Sequence, residues 1–304
     1  MTNRKNHIVI GTRGSKLSLV QTDYVVQILK ESNPEVHIEV ATITTPPDIR
    51  NQDPLRSFER GMFVKELQLA LLDGRADVAV HSLKDLPTQR PPGLSIAAIS
   101  FREDPRDVLI SREGSNLYEL PRGAVVGTSS TRRASQLTFL REHLDIKPIR
   151  GNVDSRIQKM QNGEFDAIVV AAAGVSRLGR DQEVTQYFET SELIPPPGQG
   201  ALAIESRSDD AWVQGLLQAV NHEPTSNAIT AERAFLAHLG GGCSVPVAAY
   251  AEIYQDALKI SGLICTENGD QRFWKEITGP ATDPTTLGVR LATDLLDMGA
   301  KTIV

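Results

Sequence analysis

The sequence predicts an α/β chain, with two similar α/β lobes around a cleft followed by a small α+β domain. Three observations carry that expectation. Ile8-Val9-Ile10-Gly11-Thr12 and Ala124-Val125-Val126-Gly127-Thr128 are each an apolar run ending in Gly-Thr, then serine and arginine, then a helical pattern. Gly74-Arg75-Ala76-Asp77-Val78-Ala79-Val80 and Gly163-Glu164-Phe165-Asp166-Ala167-Ile168-Val169-Val170 each give a glycine that ends a helix, an aspartate and a buried strand. From Val247 onward, three runs alternate apolar and polar residues with turn residues between them, as antiparallel strands do. The expected domains are 1–101 with 198–216, then 102–197, then 217–304. Short echoes also arise from α/β grammar alone, so the repeat is an expectation for the structure to meet.

At 304 residues the chain is long enough for several cores. Its formal net charge of −6 gives no global attraction to nucleic acid or an anionic membrane, so any anion site must be a local basic cluster. The N-terminus lacks the apolar core of a signal peptide, and no stretch is long and apolar enough to span a bilayer. Two cysteines, Cys243 and Cys265, are too few for a disulfide framework, and a cytoplasmic location is expected.

The first lobe opens with the Ile8 strand and Arg13-Gly14-Ser15. Ser15 is a candidate N-cap for a helix over 17–30, whose free N–H groups suit an anion. Arg13 adds a fork-shaped positive charge, although a capping serine beside a solvated arginine reads the same way. Residues 45–61 form a long loop poor in apolar residues, with Arg56 and Arg60 in it. A helix over 63–72 leads to the Val78 strand and to His81-Ser82-Leu83-Lys84-Asp85-Leu86-Pro87. Pro87 forces a turn. Lys84 and Asp85 therefore fall just past the carboxyl end of a strand, where open α/β sheets bind ligands. Taken alone, they are also an ordinary surface ion pair.

In the second lobe, Ser129-Ser130-Thr131-Arg132-Arg133 starts a helix. Arg150-Gly151-Asn152-Val153 ends a strand, Arg156 opens the next helix, and Arg177 follows the Val170 strand. Five arginines at such turns in an acidic protein point to a carboxylate or phosphate ligand. Leu193 to Gly200, with three prolines, is a rigid link back to a strand at 201–205. The last region holds a helix over 224–239, the loop Gly240-Gly241-Gly242-Cys243-Ser244-Val245-Pro246, the three strands and a closing helix over 283–298. Cys265 sits inside an alternating strand and reads as structural. Cys243, in a glycine-rich loop, is the better candidate for covalent chemistry.

These motifs together resemble the porphobilinogen deaminase family along nearly the whole chain. The segments that carry the resemblance are Gly11 to Ser15, Phe63-Val64-Lys65-Glu66-Leu67, His81 to Pro87, Gly127 to Ser130 with Arg132-Arg133, and Arg150 to Val153. Pro197-Gly198-Gln199-Gly200-Ala201 adds to them, as does Glu232-Arg233 followed by Gly241 to Pro246. The resemblance implies an enzyme that joins four porphobilinogen molecules head to tail into a linear tetrapyrrole, hydroxymethylbilane, releasing ammonia each time. It implies a dipyrromethane primer held as a thioether on Cys243. Asp85 is the implied central carboxylate, with Lys84 and Arg13 beside it in the catalytic set. Ser15, Lys84, Asp85, Thr128, Ser130, Arg132, Arg133, Arg150, Gly151, Asn152 and Arg156 are implied in cofactor binding. Arg13, Gln21, Phe63, Arg177 and Gln199 are implied in substrate binding. No metal, nucleic acid or membrane partner is implied, and a monomer is expected.

Charge agrees with that chemistry. Each pyrrole brings two carboxylates, and loss of ammonia leaves a delocalised azafulvene cation that a fixed carboxylate stabilises. The chain departs from the family at Thr45-Pro46-Pro47-Asp48, where a Lys-Gly pair is expected before the aspartate, and at Arg56 and Arg60, where lysines are usual. Thr131 stands in place of an apolar residue. Two other readings compete. A two-lobed receptor for a carboxylated ligand explains the arginines but not Cys243. A cysteine hydrolase would pair Cys243 with His238, yet no second histidine or acid stands near to orient that base.

Overall fold

In a computed structural model of the chain, residues 6–43, 62–241 and 245–303 are described, the side chains of Met62 and Phe63 excepted. The expected loop 45–61, with Arg56 and Arg60, lies outside them, as does Cys243. The described chain forms two compact units, Met1–Arg102 with Ala201–Ser226, and Glu103–Gly200 with Asn227–Val304.

The first unit is built on a sheet of β1 (His7–Thr12), β2 (His37–Thr42), β3 (Val78–Ser82), β4 (Leu94–Ile99) and the late strand β10 (Leu202–Arg207). Its order is β2-β1-β3-β10-β4, with β10 antiparallel to both neighbours. Helix α1 (Lys16–Ser32) packs Val25, Val26 and Leu29 against Ile8, Ile10, Val78 and Val80. Helix α2 (Met62–Leu72) covers the other face, where Leu67 and Leu71 meet Ala76 and Ala79. Faces alternate along β3 because successive side chains of a strand point to opposite sides. Ser82 therefore turns toward α1 and His81 toward α2.

The second unit holds the matching sheet. Its strands are β5 (Asp107–Ser111), β6 (Val125–Gly127), β7 (Asp145–Lys147), β8 (Ala167–Ala171) and β9 (Gln186–Tyr187), in the order β7-β6-β8-β5-β9. Again three parallel strands meet an antiparallel fourth. The registers coincide: Gly11 pairs with Ala79 as Gly127 pairs with Ile168. Both aspartates of the echo do the same work. Asp77 Oδ2 accepts from Val9 N at 3.0 Å, and Asp166 Oδ2 accepts from Val125 N at 2.8 Å. An arginine just past or at the end of the antiparallel strand pairs each of them, Arg207 with Asp77 at 2.6 Å and Arg112 with Asp166 at 3.1 Å. The repeat is thus real at the level of backbone and hydrogen bonds.

Helices α3 (Thr131–Leu140), α4 (Val153–Gln161) and α5 (Ala172–Arg177) complete this sheet. Four short elements, α5, α6 (Ala211–Leu217), β5 and β9, were not expected from the sequence. The last sheet, β11 (Val247–Tyr254), β12 (Ala257–Cys265) and β13 (Arg272–Pro280), is antiparallel throughout. Helices α7 (Glu223–His238) and α8 (Pro284–Asp297) cover one of its faces, with Phe235, Leu287, Leu291 and Leu295 in the core. Asp283 caps α8 and a proline occupies its first turn.

Candidate functional site

Lys84 and Asp85 lie on a single turn of 3-10 helix, Leu83–Asp85, directly after β3. Both are exposed, while Leu83, the first residue of the turn, is fully buried. The turn is pinned on each side of the sheet. Toward α1, Gln21 Nε2 donates to Ser82 Oγ at 2.9 Å. Toward α2, His81 is buried beside Glu205. Leu83 N also donates to Ala201 O at 3.1 Å. Gln21 thus supports the turn from within the same unit. Ser15 Oγ caps α1 by accepting from Ser18 N at 3.3 Å, and Arg13 is half-buried beside it.

In the second unit, Ser130 Oγ caps α3 and Thr128 Oγ1 accepts from Ser130 N at 3.2 Å. Asn152 caps α4, with Oδ1 accepting from Ser155 N at 2.8 Å. Gly151 has φ +110°, and a Cβ there would lie 2.8 Å from Ser155 Cβ, so only glycine fits. Arg150 and Arg156 are half-buried at this helix start, and Arg156 Nε donates to Gly151 O at 2.8 Å. Arg177 Nη2 donates to Gly200 O at 2.7 Å. Hydroxyls, helix N-termini and arginines of this kind suit a molecule bearing several carboxylates.

The five arginines differ in their surroundings. Arg132 and Arg133 are buried and share one fully buried carboxylate, Asp107. Arg132 Nη2 reaches Asp107 Oδ2 at 2.6 Å and Nη1 reaches Ile194 O at 2.6 Å. Arg133 donates Nε and Nη2 to Asp107 Oδ1 at 3.0 and 2.7 Å, and Nη1 to Val169 O at 3.3 Å. Burial alone would raise the Asp107 carboxyl, but the two guanidiniums outweigh it and hold it far below the usual carboxylate range. The three groups together carry one positive charge. Gln199 belongs to the same network, donating Nε2 to Asp107 Oδ1 at 2.9 Å and to Pro105 O at 2.7 Å. The sequence signal for Asp107 was its place at the head of the apolar run Val108-Leu109-Ile110.

Cys265 is buried in β12, with Ser135 Oγ 3.2 Å from its sulfur. Burial pushes its thiol up, away from the reactive thiolate. His238 is exposed at the end of α7 and contacts Thr293. Cys243 and the Phe63 side chain lie outside the described residues. Among those residues, no cluster of three or more His, Cys, Asp or Glu side chains could hold a metal, and no helix is long and apolar enough to cross a membrane.

Two matching α/β sheets and a small antiparallel third make the chain an α/β enzyme. The chain belongs to the porphobilinogen deaminase family. The family model "Porphobilinogen deaminase, dipyromethane cofactor binding domain" matches residues 8–215, and "Porphobilinogen deaminase, C-terminal domain" matches 226–297. The porphobilinogen deaminase of Thermus thermophilus is 45% identical over 298 residues, 98% of either chain. That of Roseiflexus sp. strain RS-1 is 46% identical over 301 residues, 99% of either chain. Its reaction is the polymerisation of porphobilinogen into hydroxymethylbilane in tetrapyrrole biosynthesis, with a dipyrromethane cofactor.

Proposed function

We propose that Cys243 holds the dipyrromethane as a thioether and that Asp85 is the carboxylate at which the coupling chemistry occurs. When bound, dipyrromethane supplies the pyrrole carbon to which the first substrate is joined. Asp85 stabilises the positive charge that develops on the substrate as ammonia leaves, and guides the proton lost from the coupling carbon. Lys84 and Arg13 hold substrate carboxylates near it. Ser15, Thr128, Ser130, Arg150, Gly151, Asn152 and Arg156 hold the carboxylates of the cofactor, with Arg132 and Arg133 as a buried positive charge behind them. Gln21, Phe63, Arg177 and Gln199 serve the substrate and the growing chain. The observation that carries this reading is the pinned, exposed Lys84–Asp85 turn, because a preorganised charge costs little reorganisation during reaction. The three separate sheets support three domains, 1–101 with 198–216, 102–197 and 217–304. The enzyme acts as a cytoplasmic monomer in this reading.

Intact-mass spectrometry tests the attachment. Purified protein should exceed its sequence mass by two linked pyrroles, Cys243→Ser should lose the adduct and all turnover, and Cys265→Ser should keep both. An adduct mapped to Cys265 would refute it. Asp85→Asn keeps the shape of the side chain and removes its charge, so it should retain dipyrromethane and be nearly inactive. Asp85→Glu should keep reduced turnover. Wild-type rates for Asp85→Asn would make the carboxylate structural.

A further inference from the structure

Three buried polar side chains meet behind the Lys84–Asp85 turn. Glu205 on β10 is fully buried, and its two oxygens accept from Gln68 Nε2 of α2 at 3.1 and 3.2 Å. His81 Nε2 stands 3.2 Å from Glu205 Oε2, off the line of a hydrogen bond, with no other hydrogen-bond partner among the described residues. His81, Gln68 and Glu205 are all at least nine-tenths buried.

The second unit shows what the fold needs at these three positions. In the registers above, Ala203 pairs with His81 as Val108 pairs with Val170. Two residues further along the antiparallel strand, Glu205 matches Ile110. Gln68 precedes the helix-ending Gly74 by the same number of residues as Ile157 precedes Gly163. Ile110, Ile157 and Val170 are buried together in one apolar cluster. The same backbone is thus stable with three aliphatic residues where the first unit buries an acid, an amide and an imidazole. Burying polar groups costs free energy unless they are fully hydrogen-bonded, and apolar replacements of similar volume are often neutral or stabilising. Stability alone does not account for the polar triad, which occurs in the unit whose strand ends in Lys84–Asp85.

We propose that Glu205 is a positioning residue for this turn, acting through His81, and that Gln68 locks α2 to the same carboxylate. His81 is four residues before Asp85, at the last buried step of β3, so its side chain fixes how the strand enters the turn. The inference rests on the role given to Asp85 above. A double-mutant cycle tests it. Glu205→Gln should keep its dipyrromethane by intact mass and its KM, while kcat falls by about tenfold to a hundredfold, the scale of a small misplacement at a reacting centre. In an Asp85→Glu background, where the carboxylate is already displaced, the same change should cost less than about threefold, as coupled sites require. His81→Gln, which keeps a polar group beside Glu205, should stay close to wild type, whereas His81→Val should behave like Glu205→Gln. Where Glu205→Gln yields no folded protein, the His81→Val and His81→Gln pair runs the same cycle. An unchanged kcat, or equal losses in both backgrounds, overturns the proposal. Inactive Asp85→Asn alongside unaffected Glu205→Gln removes only the positioning role, whereas fully active Asp85→Asn removes the role of Asp85 itself.

Discussion

Asp77 and Asp166 hold equivalent strands by equivalent hydrogen bonds, yet the two sheets bury different chemistry at their carboxyl ends. The first places His81, Glu205 and Gln68 on the α2 face and keeps Leu202 on the α1 face. The second places Ile110, Ile157 and Val170 on the face of α4 and Asp107, with Arg132 and Arg133, on the face of α3. By register, Leu202 and Asp107 occupy the same position. Each sheet is therefore an apolar control for the other. The scaffold demands neither polar cluster, so both are answers to what lies at the strand ends: a carboxylate turn in one, a helix start with arginines in the other.

The largest expected effect is on Asp107. Asp107→Asn leaves two buried guanidiniums without their counter-charge and should destabilise the protein by about 3–5 kcal/mol, read as a fall in Tm or in the denaturant midpoint. Because folding lowers its pKa below the unfolded value of about 3.9, the stability Asp107 supplies is full above that pH and is lost as pH falls toward the native value. Acid titration of the variant should therefore lack that loss. Leu202→Asp, the reverse exchange in the first unit, should destabilise it, since Leu202 is buried in an apolar cluster with Val80 and Ile204.

Next comes the exchange of triads. Glu205→Ile, Gln68→Ile and His81→Val together import the second unit's solution into the first. Thermal unfolding should show stability unchanged or raised by about 1–4 kcal/mol while turnover falls. A collapse of stability would mean that the two sheets are less alike than their registers indicate. Smaller effects separate the matched aspartates. Asp77 is buried and its Arg207 partner half-buried, whereas Asp166 and Arg112 are more exposed. Asp77→Asn should cost about 1–3 kcal/mol and Asp166→Asn less than about 1, by denaturant titration. Smallest is the pair of caps: Ser15→Ala and Ser130→Ala should each lose about 1 kcal/mol, and a difference of more than about that size would show that one serine does more than cap.

The repeat was legible because it is written in glycines and aspartates, Gly11 and Gly127, Asp77 and Asp166, whose backbone roles leave few substitutes. Lys84, Asp85 and the capping serines were legible for the same reason, standing where strands stop. Asp107 and Glu205 were not. Asp107 heads an apolar run and Glu205 follows one, and periodicity alone does not say which face each turns to or which residue more than twenty positions away will meet it. The charges of Arg132 and Arg133 are visible in sequence, and their shared partner Asp107 is not.

The late strand β10 has a consequence in time. It lies between β3 and β4, so the first sheet cannot close until residue 207 has left the ribosome, long after β1 to β4 have been made. The second sheet draws all its strands from residues 107–187 and needs no later segment. At a synthesis rate of about 5–20 residues per second, the nascent chain spends several seconds with β3 and β4 made and an unpaired edge where β10 will insert. Glu205 arrives on that same strand, so the turn bearing Asp85 receives its support only when the sheet is finished.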